Sequence, residues 1–484
     1  GPSSWGNIGG GKGNILHGDG STISGGRANK VEEQYCVVGG GKSNTAQKEY
    51  SSIVGGRNNF IDALESFIGG GSDNDINGSS YRYSFIGGGQ ANTAKGAYSS
   101  VRGGYGNRAV GDGAIIQGGY TVYASGAYSH VGGGYENTVT GAYSKIGGGQ
   151  YNTVYGAYSG IAGGEYNTVI GDYAHVAGGS TNKANADYSY VGGGYTNIVY
   201  ADADYSYIGG GYANRAYSEY GVITGGGWNT ANADYASLGG GHYNTCSGSY
   251  CIVQGSTSSR NHASRGVISG GHNHWVYGYA GTVTGGMYNS AFGSYSTVLT
   301  GYYNHATAPF STVGGGQYNL ASAYASAIVG GSGNQATASY ATSVGGDANR
   351  NSGVGGTVKG GQYNSVYGYA AMIGGGWYNR AFGYASSVGG GWDNFAKGYA
   401  STVGGGYLNT AATEGSSVGG GTYNYVYGTL GTISGGHSNY VYSYAGTIQG
   451  GMSNRAKATY GTVGGGYQNT VAAGAYAGSI AGGM

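Results

Sequence analysis

Residues 144–173 read SKIGGGQYNTVYGAY followed by SGIAGGEYNTVIGDY, two successive segments of 15 residues with nearly the same pattern. The pattern continues in both directions, with a Val or Ile before paired glycines at nearly every recurrence. The first of these anchor residues is Ile8, and about 31 units follow before a partial unit that ends at Met484. A fixed period of this kind identifies a repeat protein.

The consensus unit is S-x-V-x-G-G-x-x-N-x-A-x-G-x-Y, numbered here from position 0, which Ser144 occupies, to position 14. Positions 0, 2 and 10 are mostly restricted to small or apolar residues and position 8 to asparagine, and these positions alternate with variable ones. This period of two predicts two short strands, each with one inward face. The glycines at positions 4, 5 and 12 predict turns in which the backbone takes positive φ.

The sequence therefore predicts an all-β fold, a parallel β-solenoid of about 31 coils with a 15-residue period. Paired glycines in nearly every unit exclude a helix, because they would cost about 2 kcal/mol per unit. Stacking places identical residues about 4.8 Å apart. The asparagines at position 8 should then form a hydrogen-bonded ladder, which includes Asn137, Asn152, Asn167, Asn182 and Asn197.

Composition agrees with a packed repeat protein. The chain has 113 glycines but 2 prolines, and glycine does not occur at every third residue, which excludes collagen. The 53 tyrosines argue against disorder. A net charge of +1 gives no general reason to bind nucleic acid, and no apolar run is long enough for membrane insertion.

The predicted organisation is a lead-in over residues 1–7 and one continuous solenoid over residues 8–484. An irregular zone is expected near 246–275. Changes of period predict turn insertions near 78–83, 201–204, 337–343 and 472–478, and a one-residue deletion in the unit that starts at Val344.

This repeat resembles the head repeat of YadA-like trimeric autotransporter adhesins, whose unit runs S-x-A-x-G-x-x-(S/A/N)-x-A-x-G-x-x, and it is similar to repeats of phage fibres. The segment from Ser144 to Gly156 matches it with one extra glycine in the first turn. The resemblance implies a left-handed parallel β-roll, three chains side by side, and adhesion at a bacterial surface. A coiled-coil stalk, a neck motif and a membrane anchor are not recognisable in the sequence.

Self-association is expected on energetic grounds as well. One unit buries a Val and an Ala, worth roughly 2–4 kcal/mol. Ordering its residues costs on the order of 15–25 kcal/mol before hydrogen bonds are counted. A homotrimer would bury additional outward Tyr and Val side chains. The absence of recognisable caps at both ends suggests head-to-tail stacking or a piece of a larger fibre.

Two groups of residues are candidates for metal binding. Acidic residues recur at the second turn of consecutive coils, and an oxygen-rich stripe can hold Ca²⁺, although a solvated edge is the simpler interpretation. Four histidines cluster near the irregular zone, but their spacing matches no standard zinc site. The acidic stripe comprises Asp172, Asp187, Asp204, Glu219 and Asp234, and the histidines are His242, His262, His272 and His274.

Aromatic side chains are the other candidate site. Tyrosine dominates positions 7, 11, 13 and 14, and Trp377 and Trp392 occupy position 6 of consecutive units, beside Tyr378. Such rows serve as cross-strand ladders or inter-chain packing, or they stack on sugars and partner proteins. Packing is the preferred interpretation, with recognition by the two tryptophans and Tyr378 as the alternative.

The three cysteines fall at inward positions and are interpreted as small core residues. Cys36 and Cys251 occupy position 0, and Cys246 occupies position 10. A disulfide between Cys246 and Cys251 is the alternative interpretation.

The sequence favours a non-catalytic structural fibre or filament subunit, extracellular at a cell or virion surface, that provides reach and attachment. At about 4.8 Å per coil, the rod would be about 150 Å long. No sheltered set of convergent titratable groups is apparent, so an enzyme is not expected, and no cofactor is expected. The alternatives are an adhesin head that binds glycans or matrix proteins and, less favoured, an ice-binding solenoid. The ice-binding alternative rests on threonines at position 1, among them Thr282, Thr297, Thr312, Thr402, Thr432, Thr447 and Thr462.

Overall fold

In the computed structural model, the chain divides into two compact units, residues 1–243 and residues 244–484. The structure describes residues 5–484, and for residues 79–81 it describes the backbone alone. The first four residues of the predicted lead-in lie outside the described residues.

Both units are built from coils that each contribute one strand to a first parallel sheet and one strand to a second. The predicted fold class is confirmed: the protein is an all-β parallel solenoid of about 31 turns with a spacing of about 15 residues. Most strands are two residues long and contain positions 1–2 or 9–10 of the repeat. Single residues at position 6 form a further row of parallel bridges.

In the first unit, the strands of the first sheet are Asn7–Ile8, Thr22–Ile23, Val37–Val38, Ser52–Ile53, Phe67–Ile68, Phe85–Ile86, Ser100–Val101, Ile115–Ile116, His130–Val131, Lys145–Ile146, Gly160–Ile161, His175–Val176, Tyr190–Val191, Tyr207–Ile208, Val222–Ile223 and Ser237–Leu238. The strands of its second sheet are Ile15–Leu16, Lys30–Val31, Thr45–Ala46, Phe60–Leu64, Asp75–Arg82, Thr93–Ala94, Arg108–Ala109, Tyr123–Ala124, Thr138–Val139, Thr153–Val154, Thr168–Val169, Lys183–Ala184, Ile198–Val199, Arg215–Ala216 and Thr230–Ala231.

In the second unit, the strands of the first sheet are Ile252–Val253, Val267–Ile268, Thr282–Val283, Thr297–Val298, Thr312–Val313, Ala327–Ile328, Thr342–Ser343, Thr357–Val358, Met372–Ile373, Ser387–Val388, Thr402–Val403, Ser417–Val418, Thr432–Ile433, Thr447–Ile448, Thr462–Val463 and Ser479–Ile480. The strands of its second sheet are Thr245–Cys246, Arg260–Asn261, Trp275–Val276, Ser290–Ala291, His305–Ala306, Leu320–Ala321, Gln335–Ala336, Arg350–Asn351, Ser365–Val366, Arg380–Ala381, Phe395–Ala396, Thr410–Ala411, Tyr425–Val426, Tyr440–Val441, Arg455–Ala456 and Thr470–Val471. Two further strands at the first turn, Ser256–Thr257 and Gly271–His272, pair with each other.

The core of each unit is a column of anchor residues and of the small apolar residues at position 10. Ile146 pairs in register with Ile161, and Val154 pairs with Val169. All four side chains are fully buried. The outward neighbours at positions 1 and 9 alternate with them, so the predicted inward faces are confirmed.

Of the two glycines in the first turn, the one at position 5 is required by its backbone conformation and its close neighbours. Gly149 has φ +91°, and a Cβ there would lie 2.0 Å from the carbonyl oxygen of Gly164 in the next coil. The prediction of positive φ at position 12 was wrong for Gly156, whose φ is not in the left-handed region. Glycine is required at this position for a steric reason, because the Cβ of any other residue would lie 1.9 Å from the carbonyl oxygen of Gly171. At the second turn, the left-handed conformation falls instead on position 14, as in Tyr158 with φ 55°.

The predicted insertion near 337–343 and the deletion that follows it were also wrong. Ile328 pairs with Ser343, and the following rung of the sheet is Val358, so both steps keep the regular period. Ser343 is fully buried at the anchor position, whereas Val344 is 44% exposed. Alignment of the repeat on the apolar side chain of Val344 misplaces Asn349, which belongs to the asparagine ladder and bonds to Asn334.

The other three insertions lie in second turns. The second sheet shifts register between Asn77 and Arg82, within the long strand Asp75–Arg82 that contains the extra residues. In the first sheet, the longer coils pair Ile68 with Ile86, Val191 with Ile208, and Val463 with Ile480.

Candidate functional site

The asparagine ladder at position 8 is a buried hydrogen-bond network between coils. The Oδ1 atom of Asn152 accepts a bond from the backbone N–H of Asn167 at 3.0 Å. Its Nδ2 donates to the carbonyl of Gly148 in the same coil at 3.1 Å and to that of Gly164 in the next at 2.8 Å. Each side chain therefore satisfies three backbone groups of the first turn. The same arrangement recurs, with most partners on the backbone rather than on another amide, at the other predicted members Asn137, Asn167, Asn182 and Asn197.

A second buried ladder involves serine at position 0, and sequence reasoning missed it. Ser144 Oγ donates to the carbonyl of Gly156 at 2.7 Å and accepts from the backbone N–H of Ser159 at 3.0 Å. Ser159 repeats both bonds, to Gly171 and from Ala174. The restriction of position 0 to small residues was the available signal, but it was attributed to steric crowding alone.

Tyrosines at position 14 form a long stacked row in the first unit. Neighbouring rings such as Tyr143 and Tyr158 have centroids 5.0 Å apart and an interplanar angle of 2°. Tyr173 continues the row at 4.9 Å from Tyr158. These residues are about half exposed and have positive φ, with values of 55–56°. Stacking of this kind contributes about 0.5–1.5 kcal/mol per pair, which offsets backbone strain of similar size.

The two tryptophans named as candidate recognition residues also stack. Trp377 and Trp392 have centroids 5.2 Å apart at 14°, and Trp377 lies 5.8 Å from Tyr378 at 11°. Tyr407 then contacts Trp392 edge-on at 5.6 Å. The tryptophans are 41% and 49% exposed. Because neighbouring rings lie against their faces, much of the surface that they present consists of ring edges.

The acidic stripe is a carboxylate ladder at the second turn. Asp187 accepts a hydrogen bond from the backbone N–H of Asp172 at 2.8 Å, and Asp204 accepts one from Asp187 at 2.9 Å. Asp204, in the inserted turn, thus stands in line with the regular members. Glu219 and Asp234 are exposed. Within residues 5–484, no group of three or more His, Cys, Asp or Glu side chains is arranged to hold a metal ion.

The four histidines do not act as one set. His274 is fully buried and takes the place of asparagine in the ladder, where its Nδ1 accepts from the N–H of Asn289 at 3.2 Å. Burial lowers the pKa of His274 to about 4, and the neighbouring His272 lowers it further. His242 packs edge-on against Tyr243 instead. The buried imidazole is therefore neutral and acts as a structural hydrogen-bond acceptor.

The preferred interpretation of the cysteines was wrong for one pair. Cys246 and Cys251 form a disulfide with a Cα–Cα distance of 5.9 Å. Positions 10 and 0 both face the interior, so the two residues meet across the core at a separation that a disulfide can span. Cys36 is a free, buried thiol whose pKa is raised by burial.

No helix in the described part of the chain is long and apolar enough to cross a bilayer. No protein-family model matches the chain, and no curated protein is significantly similar to it.

Proposed function

We propose that this protein is a non-catalytic structural solenoid, a fibre or filament subunit that gives reach and attachment at a cell or virion surface. The observation that carries the proposal is the use of polar side chains to join coils. Asn152, Ser159 and Asp187, each of a type that often serves in active sites, all bond to the backbone of a neighbouring coil. The likeness of the repeat to adhesin and phage-fibre repeats supports the same conclusion.

The number of coils should set the length of such a spacer. Deletion of residues 99–188 removes six complete coils and joins Tyr98 to Ser189, which restores the order of positions 14 and 0. The variant should fold and be shorter by about 29 Å, which class averages of negatively stained particles can measure. Deletion of residues 99–181 removes an incomplete number of coils and serves as the control, because it places position 8 after position 14. The proposal fails if the six-coil deletion unfolds, or if particle length is unchanged.

We also propose that the chain associates with itself, as a homotrimer or a head-to-tail filament. Rows of half-exposed aromatic side chains such as Tyr190 and Tyr207 provide apolar surface for packing between copies. Light scattering coupled to size exclusion should give three times the mass of the 48.5 kDa chain, or a polymer series. A monomer at micromolar concentration would contradict the proposal.

Glycan binding at the tryptophans is the second candidate function, because Trp377 and Trp392 expose large aromatic edges. The measurement is a glycan array with the parent chain and with Trp377→Ala plus Trp392→Ala. Binding that the double substitution removes would support an adhesin head. Equal signals from the parent chain and the variant would eliminate the tryptophans as the site.

A further inference from the structure

The tyrosine row is interrupted near the first insertion by a single carboxylate. Tyr35 and Tyr50 stack with centroids 5.0 Å apart, and Tyr83 and Tyr98 stack at 5.1 Å. The intervening coil has Glu65 at position 14. Its φ of 52° matches the values of 59° and 63° at Tyr50 and Tyr83. The left-handed backbone of the row is therefore unchanged at Glu65, and this coil differs from its neighbours only in lacking the aromatic ring.

The ladder itself sets the size of the space that remains. Each stacking step in this row is close to 5 Å, so two steps separate the Tyr50 and Tyr83 rings by about 10 Å. One planar group can lie between them and contact both rings, as a tyrosine would in a complete row. An open cleft lined by Tyr50, Glu65 and Tyr83 lies at this place.

The chemistry of the cleft favours a cation. The Tyr83 hydroxyl donates a hydrogen bond to the Glu65 carboxylate, and this bond raises the pKa of Tyr83. The electron-rich faces of two aromatic rings and one carboxylate therefore surround the same space. Glu65 forms no ion pair with a basic side chain in the part of the chain that the structure describes. Arg82 is the nearby cation, and its side chain is exposed.

Elsewhere the chain places a guanidinium at the same repeat position. Arg265 occupies position 14 in the second unit, and its guanidinium carbon lies 5.8 Å from the centroid of the Tyr279 ring. A guanidinium is planar, stacks on aromatic rings and pairs with carboxylates through two parallel hydrogen bonds. A lysine ammonium lacks the flat shape that a slot between two rings requires.

We propose that Tyr50, Glu65 and Tyr83 form a binding slot for a guanidinium group, which stacks between the two rings and pairs with the carboxylate. The ligand is an arginine side chain of a protein or peptide, or a free guanidinium compound. This assignment does not depend on the structural role proposed above.

A second gap in the row provides a matched control. Gly113 stands between Tyr98 and Tyr128, so a ring is missing there too. At that rung, a ring carbon of Tyr128 lies 2.6 Å from the place of a Cβ on Gly113. The adjacent Asp112 carboxylate accepts a hydrogen bond from the backbone of Ala97 at 2.9 Å. At this gap the carboxylate thus bonds to the backbone and the Tyr128 ring lies against the empty rung, so the cleft seen at Glu65 is not repeated.

The experiment is ligand-observed saturation-transfer NMR with N-acetyl-arginine amide, and with N-acetyl-lysine amide as the comparison ligand. The intact chain should bind the arginine compound at least tenfold more tightly than the lysine compound. Glu65→Gln should weaken binding at least tenfold, and Glu65→Tyr should abolish it by filling the gap with the missing ring. Gly113→Tyr should leave the affinity unchanged.

The same titration with a capped Gly-Gly-Arg-Gly-Gly peptide distinguishes the sources of the ligand. Tighter binding of the peptide indicates a protein partner, and equal affinity indicates recognition of the guanidinium alone. Glu65→Tyr completes the row, so thermal unfolding at or above the temperature of the parent chain verifies its fold. Equal binding by the parent chain and Glu65→Tyr, or equal affinity for lysine and arginine, would overturn the proposal.

Discussion

Two stretches of this protein solve the same packing problem with different residues. In the first unit, the coils around Asn152 and Asn167 hold each first turn with an asparagine that satisfies three backbone groups. In the second unit, consecutive coils have Ser259 and His274 at that position. Ser259 Oγ accepts the N–H of His274 at 3.0 Å, and His274 in turn accepts that of Asn289.

Each position-8 side chain in this stretch still accepts the N–H of the next coil, but its bonds to the carbonyls of the first turn differ. The conformation of the first turn differs as well. Position 5 is Ser256, which is buried and donates to Asn244 at 2.8 Å, and positive φ moves to Gly255 at position 4. The comparison separates two roles of asparagine: the Oδ1 acceptor bonds to the backbone of the next coil, and the Nδ2 donor bonds to the carbonyls of the glycine turn.

The largest effect is expected from removing the whole amide in the regular stretch. Asn167→Ala leaves the Gly163 carbonyl and the N–H of Asn182 without a partner. It also removes one of the two bonds to the Gly179 carbonyl, which still accepts from the N–H of Glu165. At about 1–3 kcal/mol for each of the two groups left unpaired, the loss in free energy of unfolding should be about 2–6 kcal/mol. Urea unfolding, with hydrogen exchange of the flanking coils, measures it.

The matched substitution in the irregular stretch should cost less. Ser259→Ala removes the acceptor of one N–H, that of His274, and a weak bond to Thr257 at 3.3 Å. A loss of about 1–3 kcal/mol follows. Thr168→Ala, on the half-buried side of a regular strand, is the control and should change stability by less than about 1 kcal/mol. Equal losses for Asn167→Ala and Ser259→Ala would contradict the distinction between the two roles.

The two glycines of a regular turn should differ in how well they tolerate a side chain. Gly149→Ala places a Cβ against the Gly164 carbonyl at φ +91° and should cost about 3 kcal/mol. Gly148→Ala meets nothing within 4 Å and should be neutral, or slightly stabilising because it restricts the unfolded chain. Thermal unfolding of both variants tests this. Equal melting temperatures would mean that the regular turn tolerates a side chain at position 5, as the turn at Ser256 does.

The sequence predicted the repeat fold because its period and its alternation have one simple solution. Val131 and Ile146 recur at a fixed distance between outward residues, and only a stacked coil buries both. The errors came from giving apolar character priority over spacing. The spacing of Gly345, Gly346 and Asn349 places Ser343 at the anchor position. The polar side chain of serine argues against that position, because every neighbouring anchor is apolar.

The candidate sites were less predictable because their roles depend on geometry across coils. The repeat places Cys246 and Cys251 on inward positions, but whether they meet depends on distances that periodicity does not supply. His274 was grouped with exposed histidines because its displacement of a ladder asparagine was treated as an irregularity. Glu65 could not be identified from the sequence, because an acidic residue at a turn is common. The stacked tyrosine pairs on either side of it are visible only in the structure.

The irregular stretch should also lose stability at acidic pH because of His274. The folded pKa of His274 is about 4, below the ordinary value of 6.5, so the unfolded chain binds the proton first as the pH falls. The stabilisation by the neutral His274 should therefore be fully present above pH 6.5 and decrease between pH 6.5 and pH 4, by about 2 kcal/mol at pH 5.

His274→Asn restores the ladder residue of the regular coils and should remove this share of the pH dependence. Hydrogen exchange of residues 259–289 at pH 7 and pH 5 measures it in both chains. If the parent chain and His274→Asn lose protection equally on acidification, the buried imidazole is not the source, and His262 and His305, whose pKa values burial also lowers, become the groups to substitute.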